Sequence, residues 1–260
     1  MVKAFKQNWR LYLCEALGLA IFMISACFFS AMFEGDTSWH KTIPDAFTRL
    51  IIIGILMGST ALVIFYSPFT SPSGSQINPA VTITFLRLGK IKAWDAFFYI
   101  IFQALGGTLA VYVMAYLVQK PLTAPPVNYA ATIPIGGIAK AFVTEAIVAF
   151  SMMTMVLFTS SNHRYKKHTR WISGCFVCLY VIVAGPISGF GMNPARSLAS
   201  AIPSGTWTAF WIYALVPIAS MLLAAEVFLK TMKTKPHRKH YQGFTIYLKK
   251  EGIKILNDQI

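Results

Sequence analysis

Ser73-Gly74-Ser75-Gln76-Ile77-Asn78-Pro79-Ala80 and Ser188-Gly189-Phe190-Gly191-Met192-Asn193-Pro194-Ala195 share one pattern: Ser-Gly, three variable residues, then Asn-Pro-Ala. Asn is a strong helix N-cap. Pro is favoured at the first helical position, where its missing N–H loses no partner. Each stretch therefore predicts a helix that starts at its proline. After Pro79 the chain reads Ala-Val-Thr-Ile-Thr-Phe-Leu, and after Pro194 it reads Ala-Arg-Ser-Leu-Ala-Ser-Ala-Ile. Each helix has about ten residues before Gly89 or Pro203, about 15 Å at 1.5 Å per residue, or half the hydrocarbon thickness of a bilayer.

The rest of the chain supplies that bilayer. Of 260 residues, 56% are hydrophobic and only 12% charged, with a mean hydropathy of +0.58. A soluble domain carries about 25% charged residues, so a normal wetted surface cannot be built. Six apolar runs reach spanning length, at 11–33, 48–67, 95–118, 137–159, 171–187 and 208–229. The first is too long for a signal-peptide core and reads as a retained span.

The net charge of +14 would suit nucleic acid, but its placement does not. Lys3, Lys6 and Arg10 precede the first run; Arg87, Lys90 and Lys92 follow the second; Arg164, Lys166, Lys167 and Arg170 follow the fourth. Lys230, Lys233, Lys235, Arg238, Lys239, Lys249, Lys250 and Lys254 follow the sixth. In a six-span topology these segments share one side, which the positive-inside rule makes cytoplasmic, with both termini. The other side holds little more than Lys41 and Lys120. No nucleic-acid partner is expected; the partner is the lipid bilayer.

The two Asn-Pro-Ala motifs hold the same rank in each three-span half, and Glu15 and Glu145 recur early in the first span of each. This is an internal duplication. An odd number of spans separates the copies, so they enter from opposite faces as an inverted repeat. The division is 1–118 for the first repeat, 119–136 for an extracellular connection, 137–230 for the second repeat and 231–260 for a basic tail. The fold class is an all-α membrane protein, six transmembrane helices plus two re-entrant half-helices.

Two half-helices from opposite faces bring both N-termini to the midplane, each with about +0.5 elementary charge. Cations, hydronium included, are repelled. The amides of Asn78 and Asn193 can donate to a passing water oxygen, replacing lost hydration bonds and interrupting proton relay. Arg196 lies three residues past Asn193. An arginine at that depth must be paired or face water; loop carbonyls are expected to hold it while its free N–H groups line the pore. Glu15 and Glu145 are expected to accept from the loop N–H groups ahead of each half-helix, which need partners inside a bilayer.

Other chemistries lack their residues. Cys175 and Cys178 form a CxxC with no second pair, and with Cys14 and Cys27 they sit inside apolar runs. No metal or cofactor is expected. No HExxH, nucleophile elbow, P-loop or dinucleotide fingerprint is present, so no enzyme is expected. An ion-coupled transporter shares inverted repeats and broken helices but would need more than one acid per half. His163 and His168 read as solvated loop histidines. The tail, with Ile246, Tyr247, Leu248, Ile253, Ile255 and Leu256 between its charges, reads as solvated and cytoplasmic.

Across residues 9–230, INPAVT (77–82), GFGMNPARS (189–197), the Ser-Gly pairs and the paired glutamates resemble the aquaporin, or major intrinsic protein, family. The resemblance implies an hourglass pore in each subunit, a homotetramer in a cell membrane (plasma or inner), and permeation by water or small uncharged solutes such as glycerol. It also implies a four-residue filter: Arg196, Phe190, Val181 and a second-span residue, Gly58 or Met57. Strict water channels have an aromatic residue and a His where this chain has the second-span residue and Val181, and Phe190 is similar to glycerol facilitators. Ser197, Ala201 and the pair Phe210-Trp211 are similar to the water branch. Water is the expected main permeant, with small neutral solutes beside it.

Overall fold

A computed structural model describes residues 1–233, and the tail from 234 onward lies outside the described residues. The elements are α1 (Val2–Glu34), a short α2 (Ser38–Thr42), α3 (Ala46–Tyr66), α4 (Pro79–Arg87), α5 (Ala93–Val118), a short α6 (Lys120–Thr123), α7 (Ile138–Ser161), α8 (Thr169–Ser188), α9 (Pro194–Ser204) and α10 (Phe210–Lys233). Six of them, α1, α3, α5, α7, α8 and α10, are long and apolar enough to cross a bilayer. Helices α4 and α9 are the half-helices that start at Pro79 and Pro194.

Three boundaries differ from the sequence reading. Helix α1 begins at Val2 rather than at residue 11. Hydropathy marks only the lipid-crossing part, whereas Lys, Gln and Arg continue a helix readily. That extension is anchored: Tyr12 Oη donates to Asp95 Oδ1 at 2.6 Å, and Asn8 Nδ2 to the same oxygen at 3.0 Å. Helix α10 runs to Lys233, taking in the first residues assigned to the tail. Helix α9 includes Pro203 and ends at Ser204, before Gly205 at φ 67°. A proline so near a C-terminus removes one intrahelical bond, and the left-handed glycine is the actual stop.

The helices pack with an approximate two-fold exchange. Helix α1 packs against α5, α7 against α10, and α3 against α8. Half-helix α4 lies against α10 and α5, while α9 lies against α5 and α10. Apolar residues also cover the outside: Leu105 and Leu109 are 62% and 66% exposed. Lipid accepts such a surface, and association between the helices then depends on close packing. At the expected extracellular end, Arg49 clamps the junction of α1 and α3. Its Nε and Nη2 donate to Glu34 Oε1 and Oε2 at 3.0 and 3.1 Å, and Nη1 donates to the carbonyls of Ile43 and Pro44, both at 2.9 Å. Arg49 adds a charge to that side which the sequence reading omitted, and Glu34 neutralises it.

Candidate functional site

The approach to each half-helix follows the same unusual backbone path. Gly74 and Gly189 have φ 91° and 74°, Ser75 and Phe190 both 47°, and Ile77 and Met192 43° and 49°. Left-handed conformations at non-glycine residues are costly. Here they turn consecutive N–H groups toward one carboxylate. Glu15 Oε1 accepts from Ser73 Oγ at 2.6 Å and Gln76 N at 2.9 Å, and Oε2 accepts from Ile77 N at 2.6 Å. Glu145 Oε1 accepts from Ser188 Oγ at 2.7 Å and Gly191 N at 2.8 Å, and Oε2 accepts from Met192 N at 2.5 Å. Both glutamates are wholly buried. Without them the loop amides would lie unpaired in a bilayer, at several kcal/mol each (order of magnitude).

Three supporting residues escaped the sequence reading. Tyr99 Oη donates to the carbonyl of Ser73 at 3.1 Å, and Tyr213 Oη to that of Ser188 at 2.7 Å. Aligning the third spans of the two halves would have exposed this pair. Gln103 Nε2 donates to Glu15 Oε2 at 2.8 Å and to Thr82 Oγ1 at 3.2 Å. Glu145 has no matching donor among the described residues, so the halves differ there.

The asparagines cap their helices. Asn78 Oδ1 accepts from Ala80 N at 2.9 Å; Asn193 Oδ1 accepts from Ala195 N at 3.0 Å and Arg196 N at 3.2 Å. Each amide nitrogen then reaches across the pseudo-symmetry. Asn78 Nδ2 donates to the carbonyl of Met192 at 3.0 Å, and Asn193 Nδ2 to that of Ile77 at 2.6 Å. Each carbonyl belongs to the residue just before the opposite asparagine. One proton on each Nδ2 stays unclaimed among the described residues. Both asparagines line a cavity of about 200 Å³. Its walls also include Lys166, Thr169 and Arg170, together with the apolar Phe22, Phe65, Val81, Phe85, Met152 and Val156.

The remaining site residues are spread more widely. Phe190 is on the cavity wall, whereas Arg196, Val181, Met57 and Gly58 are not. Arg196 is 9% exposed and within electrostatic reach of Glu145, Cys27 and Tyr213. Its Nη1 is buried with no hydrogen-bond partner among the described residues, so the expected cradle of loop carbonyls is missing at that atom. Of the loop carbonyls ahead of it, those of Met192 and Ser188 accept from Asn78 Nδ2 and Tyr213 Oη. Gly58 faces α8: a Cβ there would lie 2.8 Å from Cys178 Cβ and 2.9 Å from the Gly174 carbonyl. Met57 is 3% exposed and belongs to the buried cluster that holds Phe190, Tyr180 and Val177. Val181 packs against the same cluster, partly buried.

The sequence profile of the Major intrinsic protein family matches residues 2–228. The chain belongs to that family. Among relatives of this major intrinsic protein, a probable NIP-type aquaporin from Nicotiana alata is 36% identical over 210 residues, covering 73% of this chain and 76% of the relative. Aquaporin NIP1-2 from Arabidopsis thaliana is 31% identical over 220 residues, 83% of this chain and 72% of the relative. The fold is that of the Plasmodium falciparum aquaglyceroporin, with a TM-score of 0.71 and 19% identity over 86% of this chain and 97% of that one. As a member of a channel family with six membrane-spanning helices, it is an integral membrane protein and a passive channel for water and small solutes.

Proposed function

We propose that water is the main permeant, that small uncharged solutes such as glycerol pass beside it, and that protons and ions are excluded. The reciprocal tether of Asn78 and Asn193 is the observation that carries this reading. It fixes two electropositive helix ends and two spare amide protons beside one cavity. A water oxygen held by both donors cannot accept from its neighbours in the file, so proton relay stops while water moves on.

The filter in this reading is Arg196, Phe190, Val181 and Met57. Met57 is preferred to Gly58 because the α8 backbone occupies the space a side chain at 58 would need. Arg196 supplies the fixed positive charge of the constriction, which opposes the entry of cations. Phe190 supplies an apolar face for the C–H side of a polyol, which supports glycerol as a second permeant. Both termini are cytoplasmic, the membrane is a cell membrane, and four copies assemble, each with its own pore. The first repeat is 1–118 and the second 137–230.

Stopped-flow shrinkage of proteoliposomes, under impermeant sucrose and then under glycerol, tests the proposal. Wild type should shrink quickly in both and reswell slowly in glycerol; Arg196→Ala should reswell severalfold faster. Shrinkage at the rate of empty liposomes, or a flux that saturates with solute, would refute a water channel. Fast reswelling of wild type would make glycerol the principal permeant.

A further inference from the structure

We propose that Tyr180 is a positioning residue that sets the width of the constriction by holding the ring of Phe190; this rests on the reading of Phe190 as part of the filter. The backbone of Phe190 is already fixed, at φ 47° with its N–H on Ser188 Oγ at 3.2 Å. Its side chain is held separately. The ring meets Tyr180 edge-on, with centroids 5.9 Å apart and planes at 62°. Tyr180 is 8% exposed and meets Phe176 on another side at 5.4 Å and 71°. Edge-to-face contacts of this kind are directional, so each ring restricts the tilt of the next.

The phenol anchors the stack. Tyr180 Oη lies 2.7 Å from Ser151 Oγ, and Ser151 Oγ lies 2.5 Å from the carbonyl of Ile147. A serine hydroxyl has one proton to give. Ser151 gives it to Ile147, so Tyr180 is the donor to Ser151. The relay ties α8 to α7 and fixes the plane of the tyrosine ring. Phenylalanine would fill the same space without that anchor. Tyr180 precedes Val181, so the fifth span shapes the constriction through its neighbour as well as through Val181 itself.

The test is the ratio of glycerol to water permeability in proteoliposomes. A loss of folded channel lowers both permeabilities together and leaves the ratio alone. Tyr180→Phe and Ser151→Ala each remove the anchor and should each raise the ratio about threefold, the scale of one aromatic or hydrogen-bond contact. The double variant should match either single one, because both cut the same link. Tyr180→Leu, which also removes the ring, should raise the ratio further. Phe190→Ala is the reference. If Phe190→Ala changes the ratio while the Tyr180 and Ser151 variants stay at the wild-type value, this inference is overturned and the filter reading stands. If Phe190→Ala also leaves the ratio unchanged, both fall. An additive double variant would separate Ser151 from Tyr180 and overturn the relay.

Discussion

Exchanging Glu15 or Glu145 for glutamine keeps the shape of the side chain and turns one acceptor into a donor. At Glu15, Oε1 can keep Ser73 and Gln76, and the new amide group then faces Ile77 N and Gln103 Nε2. Gln103 can turn its Oε1 to that amide, but its Nε2 then leaves Thr82 Oγ1 as well as residue 15. The Ile77 N–H and Gln103 Nε2 are then both newly orphaned, at about 1–3 kcal/mol each. At Glu145 no residue plays the part of Gln103 among the described residues. The new amide and the Met192 N–H face each other as two donors, again at about 1–3 kcal/mol each. Either variant should therefore cost about 2–6 kcal/mol, on the order of 10 °C in the thermal midpoint of the purified protein in detergent. A wild-type midpoint for either variant would refute the accounting of donors.

Gly58→Leu should cost about 1–3 kcal/mol of stability or more through overpacking, seen as a lower thermal midpoint, because the added Cβ meets Cys178 and the Gly174 carbonyl. If residue 58 lined the lumen instead, leucine would slow glycerol with the midpoint unchanged. Asp45 caps α3 through Thr48, whose hydroxyl and amide hold the Asp45 carboxyl below its ordinary value. A depressed folded-state pKa contributes stability above the unfolded value of about 3.9 and loses it as pH falls through the lower folded value. The midpoint difference between wild type and Asp45→Ala should thus be constant above about pH 5 and shrink below about pH 4; a difference that persists unchanged into the acid range would contradict it.

The spans, the half-helix starts and the paired acids were legible because each leaves a local mark: a long apolar run, Asn before Pro, a lone carboxylate among apolar neighbours. Gln103 left none, and Tyr99 and Tyr213 show as a pair only when the third spans of the two halves are aligned. An aromatic or amide side chain in a bilayer-length run looks the same whether it faces lipid or a loop carbonyl, and only the fold decides. The same holds for Gly58 against Met57, adjacent residues whose roles depend on which way α3 is rotated against α8. The ends of α1 and α10 were misjudged because apolarity reports the depth of the membrane, not the length of the helix. Arg196 was legible in position, but the lack of a partner at its Nη1 among the described residues was not.

Because each asparagine rests its amide on a carbonyl of the other repeat, neither repeat can finish its own centre. A three-helix ancestor would have had to pair with a sister copy inserted upside down. Such a peptide could carry no strong preference for one side of the membrane. Within one chain the two halves need not insert both ways, so most of the lysines and arginines can lie in connections on one side of the bilayer.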